Sequence, residues 1–355
     1  MNISFSSLRI TSSLSTSPWI IQSLGKKILL NSILLNNFFS PFLISAIFNN
    51  NMSISHSKFY NFLHVPLKIQ KVDNTFGNQI FKKTFEILSN PNAYIKIYDC
   101  SFENCQNRAI YIKEKDCQTE ITKCKFDNCR ISKNGGAVYT KCKYLECSFC
   151  HFYRCTTVFE GWWGSALYAH ESKFTKLNQL SILNCPQFSI DMDSQITVFK
   201  GSVESYFHNY TKGIHRFASG LRLSNTDANH SIIRYVITNS HKSGNSISFV
   251  NIYFPGQFSH ILCMNNTCNH GLIYLSMTDL CISDSVFLNN RGDLTYLHVD
   301  AQIKLVSCVI DKIDDKENKI GSCSVTTEQC EFNKENIKIN EIKMFDISDC
   351  GYNKK

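Results

Sequence analysis

The chain has 355 residues, of which 43% are hydrophobic and 19% charged, a composition typical of a folded protein and not of a disordered one. The net charge of +8 is spread along the sequence and forms no basic run interleaved with aromatic residues, which argues against a nucleic-acid partner. The 17 cysteines are odd in number and cannot all pair within the chain.

The N-terminal segment differs from the rest of the chain. Residues 1–50 contain no acidic residue, and an uncharged, largely apolar stretch at 28–48 directly follows Lys26 and Lys27. This order is typical of targeting segments, so we predict a signal peptide or signal anchor near residues 26–48, with possible membrane attachment through 28–48. The remainder of the chain would then lie at the cell surface or outside the cell. A transit peptide and a buried N-terminal extension are the alternatives.

A repeat of 22 to 30 residues dominates the sequence from residue 95 onwards. The motif Cys-x-Phe-x-Asn-Cys at 100–105 recurs at 124–129, and later copies keep an apolar centre, Phe or Ile in most of them. The centre alternates with the residues two positions on either side, as in a strand with one face inward. The predicted ladders are Phe102, Phe126 and Phe152 at the centre, Cys100, Cys124 and Cys150 before it, and Asn104, Asn128, Asn184, Asn239 and Asn289 after it.

Each repeat has room for about three short strands and their turns, and none has a helical period. The leucine and asparagine lattice of a leucine-rich repeat is missing. We therefore predict an all-β solenoid of parallel strands whose coils stack at ~4.8 Å. The Asn positions would be left-handed turn residues that hydrogen-bond their copies in the next coil. We expect an N-terminal cap at 51–94, the β-helix at 95–335, and a C-terminal cap and tail at 336–355.

At these residues the chain resembles right-handed, single-stranded parallel β-helix proteins of the pectin-lyase-like class. Within that class it is similar to surface proteins of the polymorphic-membrane-protein type, whose repeats carry GGA-apolar and Phe-x-x-Asn tetrapeptides. Gly135, Gly136, Ala137 and Val138 match the first pattern, and the segment 287–290 matches the second. The resemblance implies a secreted or surface-displayed protein that acts in adhesion or host interaction.

Two features outside the repeat are candidate binding sites. Trp162 and Trp163 lie in a loop longer than its equivalents, where they either contact a partner or pack onto neighbouring turns. Arg291, Gly292 and Asp293 form an RGD tripeptide in a predicted turn, a sequence exposed in many adhesion ligands, although the repeat favours glycine there anyway. Candidate glycosylation sites in the repeat region are Asn209, Asn229 and Asn265.

The cysteines offer two metal or cofactor hypotheses that the repeat makes unnecessary. Cys147, Cys150 and His151 spell a haem-attachment motif, and Cys142 and Cys155 would complete a zinc-binding set. Because Cys150 is a repeat cysteine, we interpret these residues as small buried core side chains, with some disulfides between coils as an alternative. We predict no metal and no cofactor.

Glu103 and Asp127 occupy equivalent outward positions one coil apart, which places two carboxylates ~5 Å from each other. Such a pair suits calcium binding or acid–base catalysis, but no Arg or Lys is expected beside it in a lyase-like arrangement. We therefore predict a non-catalytic scaffold for an unknown protein or glycan partner. A carbohydrate-active β-helix enzyme and an intracellular scaffold with reduced thiols are the alternatives.

Overall fold

The structure is a computed structural model. It describes residues 3–13, 19–20, 27–45, 51–70, 93–158, 164–185, 194–211, 218–226, 232–239, 245–252, 257–268, 271–310 and 323–332. In these ranges the chain forms strands and turns, and none of the described segments is a helix long and apolar enough to cross a membrane.

The strands follow one another at short intervals. Those of the N-terminal part are β1 (Ile3–Ser6), β2 (Arg9–Ile10), β3 (Trp19–Ile20), β4 (Ile28–Asn31), β5 (Leu34–Phe38), β6 (Leu43–Ser45), β7 (Asn51–Ser55), β8 (Lys58–Phe62) and β9 (Leu67–Gln70). The middle part contains β10 (Tyr94–Tyr98), β11 (Ser101–Glu103), β12 (Ile110–Lys113), β13 (Gln118–Thr122), β14 (Lys125–Asp127), β15 (Arg130–Ile131), β16 (Val138–Lys141), β17 (Tyr144–Ser148), β18 (His151–Tyr153), β19 (Thr156–Thr157), β20 (Leu167–His170), β21 (Phe174–Asn178) and β22 (Ser181–Leu183). The C-terminal part contains β23 (Ile196–Thr211), β24 (Ala218–Thr226), β25 (Ile232–Asn239), β26 (Asn245–Ile252), β27 (Gln257–Met264), β28 (Ile273–Ser283), β29 (Val286–Leu288), β30 (Thr295–Leu297), β31 (Ala301–Val306), β32 (Val309–Ile310), β33 (Ser324–Glu328) and β34 (Glu331–Phe332).

Each strand pairs in parallel with its equivalent in the next coil. We call the stack that contains β7, β10, β13, β17 and β21 the first column, and the stack that contains β8, β11, β14, β18 and β22 the second column. The third column contains β9, β12, β16 and β20, and β23 continues all three columns. The predicted all-β parallel solenoid is confirmed.

The coils begin earlier in the chain than the sequence repeat does. β4, β5 and β6 pair with β7, β8 and β9, so residues 28–45 contribute one coil, and Leu30 and Leu35 lie in the core. These coils lack the motif cysteines and keep only an apolar centre and an Asn, as at Phe59 and Asn61, so the sequence repeat does not mark them. The division at residue 95 stays a prediction. The targeting role of residues 1–50 is a separate property and stays a prediction.

Aromatic rings stack along the interior of the second column. Phe59, Phe102, Phe126 and Phe152 are fully buried, and successive ring centroids are 4.9, 5.2 and 4.8 Å apart with nearly parallel planes. Ile182 takes the same position in the following coil. Because every coil buries its apolar centre against the next copy, no coil has a complete core of its own.

Cysteines line the interior beside this stack. Cys124 and Cys150 are fully buried, and each thiol donates to a carbonyl of the preceding coil, at 3.6 Å to Ile97 and 3.5 Å to Ile121. Burial raises the pKa of both thiols well above the ordinary value, so they remain protonated donors. The 16 cysteines of the described part of the chain are all free thiols.

The turn after the second column carries a ladder of Asn side chains with left-handed backbone. Asn61 donates to Asn37 (Nδ2 to Oδ1, 3.0 Å), Asn104 donates to Asn61 (3.2 Å), and Asn128 donates to Asn104 (2.8 Å). Arg154 takes the next position, also with a positive φ. The same backbone conformation recurs at Asn184, Asn265 and Asn289.

Replacing Asn128 by Ala should lower the free energy of unfolding by about 1–2 kcal/mol, because Ala pays the full steric cost of the left-handed conformation. Asn128→Gly should cost less, since glycine adopts positive φ freely although it also loses the amide hydrogen bond. Urea denaturation followed by circular dichroism compares the two variants with the unchanged chain. If Asn128→Ala and Asn128→Gly lowered the free energy of unfolding equally, the left-handed backbone conformation would not be the reason for Asn at this position.

His208 in β23 predicts a pH dependence of stability. Its side chain is buried, and burial lowers its pKa to about 3. Between pH ~3 and ~6.5, His208 is therefore protonated in the unfolded chain but neutral in the folded chain. The free energy of unfolding falls as the pH falls through this range. Between pH 7.5 and pH 5.0 the unchanged chain should lose about 2 kcal/mol more unfolding free energy than His208→Leu. Urea titrations of both proteins at the two pH values measure the difference, and parallel losses would contradict the prediction.

Candidate functional site

Several predicted site residues fall outside the described part of the chain. Trp162, Trp163 and Asn229 lie in segments that the structure does not describe, and Asn209 and Asn239 lie in strands without a described side chain. Among the candidate glycosylation sites, Asn265 is exposed at a turn with φ of 54°. This asparagine is accessible in the folded chain.

The RGD tripeptide lies at the surface on a fixed backbone. Arg291 and Gly292 are exposed, and Asp293 is half-buried. Arg291 N–H donates to the Asn266 carbonyl at 2.8 Å, and its own carbonyl accepts from Cys268 N–H at 2.8 Å. Gly292 has a φ of 114°, and a Cβ there would lie 2.2 Å from the Cys268 carbonyl oxygen, so the coil below requires glycine. The tripeptide is thus part of the coil and not a free loop.

The carboxylate pair Glu103 and Asp127 is held between two cations. The two residues are register partners in β11 and β14. Lys125 Nζ lies 3.6 Å from Glu103 Oε1 and 3.8 Å from Asp127 Oδ2, and the Arg154 guanidinium donates to Asp127 Oδ1 at 2.8 and 3.3 Å. Lys125 and Arg154 stand beside the pair as ion-pair partners; Arg154 replaces the ladder Asn, and its long side chain reaches back one coil. The cations already compensate both carboxylates, which leaves little to attract a calcium ion.

The cysteines of the haem and zinc hypotheses lie in different places. Cys147 belongs to β17, where it lies between Ile121 and Leu177 in the inner face of the first column. Cys150 lies in the turn that follows, and among the described residues no group of three or more Cys, His, Asp or Glu side chains is arranged to hold a metal.

The outer face of the first column carries a row of paired charges. Lys96 Nζ lies 2.9 Å from Glu120 Oε1 in the next coil, and Lys176 Nζ lies 3.7 Å from Glu146 Oε1. Because equivalent residues stand ~4.8 Å apart, neighbours of opposite sign in this row attract each other. These four side chains therefore compensate one another and leave no strong field of their own.

A row of larger side chains runs beside these charges. The rings of Tyr144 and Phe174 are stacked with centroids 5.4 Å apart and an angle of 10° between their planes. Tyr144 donates its hydroxyl to Glu146 Oε2 at 3.2 Å. Burial, together with the charge of Glu146, raises the pKa of Tyr144 to about 12, so the hydroxyl remains a donor. The two rings form a partly exposed apolar platform.

A shallow depression lies at this platform, lined by Gln118, Lys143, Tyr144, Lys173 and Phe174. We call it the lysine–aromatic depression. Lys143 and Lys173 precede their aromatic neighbours in equivalent turns, and Lys173 N–H donates to the Lys143 carbonyl at 3.1 Å. Within the described ranges, neither ammonium group has a carboxylate at ion-pair distance.

Sequence analysis missed this depression. The signal was present, since the dipeptides at 143–144 and 173–174 both join a lysine to an aromatic residue at the interval of one coil. The repeat motif belongs to the second column, whereas the depression is formed by the turn and strand that precede it. The register between β17 and β21 places Tyr144 opposite Phe174, so the two dipeptides lie next to each other.

Part of the chain matches a known protein family with the same kind of fold. Residues 85–254 match a family model described as a right-handed beta helix region. No curated protein matches the chain, and no solved structure does. The matched segment includes the strands from β10 to β26, and the described strands on either side of it continue the same parallel pairing. The described chain is an all-β parallel solenoid, and its residues 85–254 are similar to the right-handed β-helix family.

Proposed function

We propose that this protein is a non-catalytic scaffold, secreted or displayed at the cell surface, which binds a protein or glycan partner through the outer faces of its coils. The observation that carries the proposal is the lysine–aromatic depression. Lys96 and Lys176 on the same face are paired with carboxylates across coils, whereas Lys143 and Lys173 lie beside two aromatic rings with no carboxylate at ion-pair distance within the described ranges. Uncompensated charge next to exposed rings is typical of a surface that contacts a partner.

Four further features support an extracellular adhesive role. The repeat resembles that of polymorphic-membrane-protein-type surface proteins in the GGA segment at 135–138. The RGD tripeptide at 291–293 has two exposed residues, and Asn265 offers an accessible glycosylation sequon. The apolar segment at 28–48 would direct the chain to the membrane during synthesis before its residues enter the core.

A carbohydrate-active enzyme is the alternative function, and the carboxylate pair is the feature that favours it. Glu103 and Asp127 are close enough for calcium binding or acid–base work, but Lys125 and Arg154 already neutralise them. A calcium ion would have to displace both of these cationic side chains before it could bind the carboxylates. The scaffold is therefore the function that the arrangement of side chains favours.

The cellular location is tested by antibody labelling of a C-terminal epitope tag on intact source cells, with permeabilised cells as the reference. We expect intact cells to be labelled, because the N-terminal segment would deliver the coils to the outside. Deletion of residues 1–27 provides a matched control that removes the basic residues of the predicted signal while leaving β4 to β34. Labelling only after permeabilisation would contradict the proposal and leave the fold unaffected.

The response to calcium distinguishes the scaffold hypothesis from the enzyme hypothesis. Millimolar calcium should leave the Tm of the unchanged chain where it is, because both carboxylates are already compensated. In the double variant Lys125→Gln/Arg154→Gln the carboxylates lose their partners, and calcium should then raise the Tm.

Differential scanning fluorimetry with and without calcium measures both effects, and Glu103→Gln/Asp127→Asn is the control that no longer offers a carboxylate pair. A calcium-dependent rise in the unchanged chain that this control abolishes would contradict the prediction. Turnover of polygalacturonate that the same control abolishes would establish the enzymatic alternative.

A further inference from the structure

We propose that the lysine–aromatic depression binds the sulfate ester groups of a sulfated polysaccharide. This inference deepens the proposed function and rests on it, since it names the partner that the scaffold would hold. Four observations carry it: two stacked cations, the paired charges around them, the adjacent rings, and the closed hydrogen bonding of the sheet below.

The two lysines lie directly above one another in the solenoid. Their turns are joined by the hydrogen bond from Lys173 N–H to the Lys143 carbonyl, so equivalent atoms of the two backbones are ~4.8 Å apart. Two like charges on adjacent coils repel each other, and an anion between them would be attracted by both. Two carboxylates of this face, Glu120 and Glu146, are paired with Lys96 and Lys176, and the next one, Glu204, is the register partner of Lys176. None of the three is at ion-pair distance from Lys143 or Lys173, so an anionic ligand would supply the counterion that these two lysines lack.

The rings add to the attraction for an anion attached to an apolar body. Tyr144 and Phe174 stack face to face along the solenoid, which turns their edges outward. The edge of an aromatic ring is the positive part of its quadrupole, so it favours a negative group. The C–H surface of a sugar ring can cover the remaining apolar area, and the exposed amide of Gln118 offers donors to its hydroxyls.

The donor set favours sulfate over carboxylate. The depression has two lysines and no arginine. A planar carboxylate is best matched by the bidentate fork of arginine, whereas an ammonium acts as a point charge. A sulfate ester has three terminal oxygens, so it can accept from both ammonium groups and still leave one oxygen to solvent.

The sheet below the depression favours a glycan over a peptide. The backbone of β17 and β21 pairs with neighbouring strands on both sides, so its N–H and C=O groups are already used. An extended peptide would therefore find no main-chain partners here, as it would at an open sheet edge. A polysaccharide needs only side-chain contacts, and a shallow surface site suits a polymer that lies along the coils.

Binding of immobilised heparin by the full chain tests the inference, with desulfated heparin and hyaluronan as parallel probes. A surface ion pair contributes little alone, so a polymeric probe is needed to add several contacts. We expect heparin to bind about tenfold more tightly than either parallel probe. Lys143→Gln/Lys173→Gln should weaken heparin binding by about tenfold.

The matched control is Lys58→Gln/Lys113→Gln, which removes the same charge from exposed positions in other columns. It should change the affinity by less than about twofold. Equal weakening by both double variants would overturn the inference in favour of general charge attraction, and hyaluronan binding as tight as heparin binding would overturn the preference for sulfate.

The inference and the proposed function fail separately. Labelling of intact cells without heparin binding would overturn the sulfate site and leave the scaffold in place. Heparin binding that follows the expected pattern in a chain found only inside cells would support the site and overturn the extracellular role.

Discussion

The structure depends on parallel pairing in register between successive coils. Phe102 lies on Phe126, and Phe126 lies on Phe152, because β11, β14 and β18 pair with one another without a shift of register. A slip of one residue would turn the whole inner set of side chains to the solvent. The fold is therefore stabilised less by any single contact than by the stacking of equivalent residues in successive coils. The repeats in the sequence supply these equivalent residues.

Stacking of equivalent residues is favourable in the core of the solenoid but can be unfavourable on its outer face. Stacked apolar rings attract, but stacked charges of one sign repel. The outer face of the first column avoids this by pairing Lys96 with Glu120 and Lys176 with Glu146. Lys143 and Lys173 depart from this pattern and form the lysine–aromatic depression. Two neighbouring lysines without a carboxylate partner mark a place where a ligand is expected, since a bound anion would offset their repulsion.

The sequence predicts the coils well and their outer contacts poorly, for physical reasons. Inner positions recur because only an apolar residue suits them, so the motif at 100–105 is enough to identify the solenoid. The earlier coil at 51–70 escapes detection because it keeps Phe59 and Asn61 but has no motif cysteines. Outer contacts depend on side-chain length as well as register: Arg154 reaches Asp127 across a coil, which spacing alone does not indicate. The depression needs the register of a turn and a strand together, and turn lengths vary from coil to coil.

The cysteine-rich interior follows from the same stacking and needs no redox or metal chemistry. In the turn between the first and second columns, the Cys124 thiol lies 3.4 Å from the Thr122 carbonyl as well as 3.6 Å from that of Ile97, so its one proton is shared between them. The Cys150 thiol likewise lies 3.3 Å from the Ser148 carbonyl and 3.5 Å from that of Ile121. Ser57 has the same position in an earlier coil, and its hydroxyl donates to the carbonyl two residues before it at 2.7 Å. The position therefore selects a small side chain that returns a hydrogen bond to the left-handed turn. Cysteine does this while presenting a polarisable, nearly apolar sulfur to the core. A thiol that is selected as a donor and a packing group serves equally well inside or outside the cell, so the number of cysteines carries no information about the compartment.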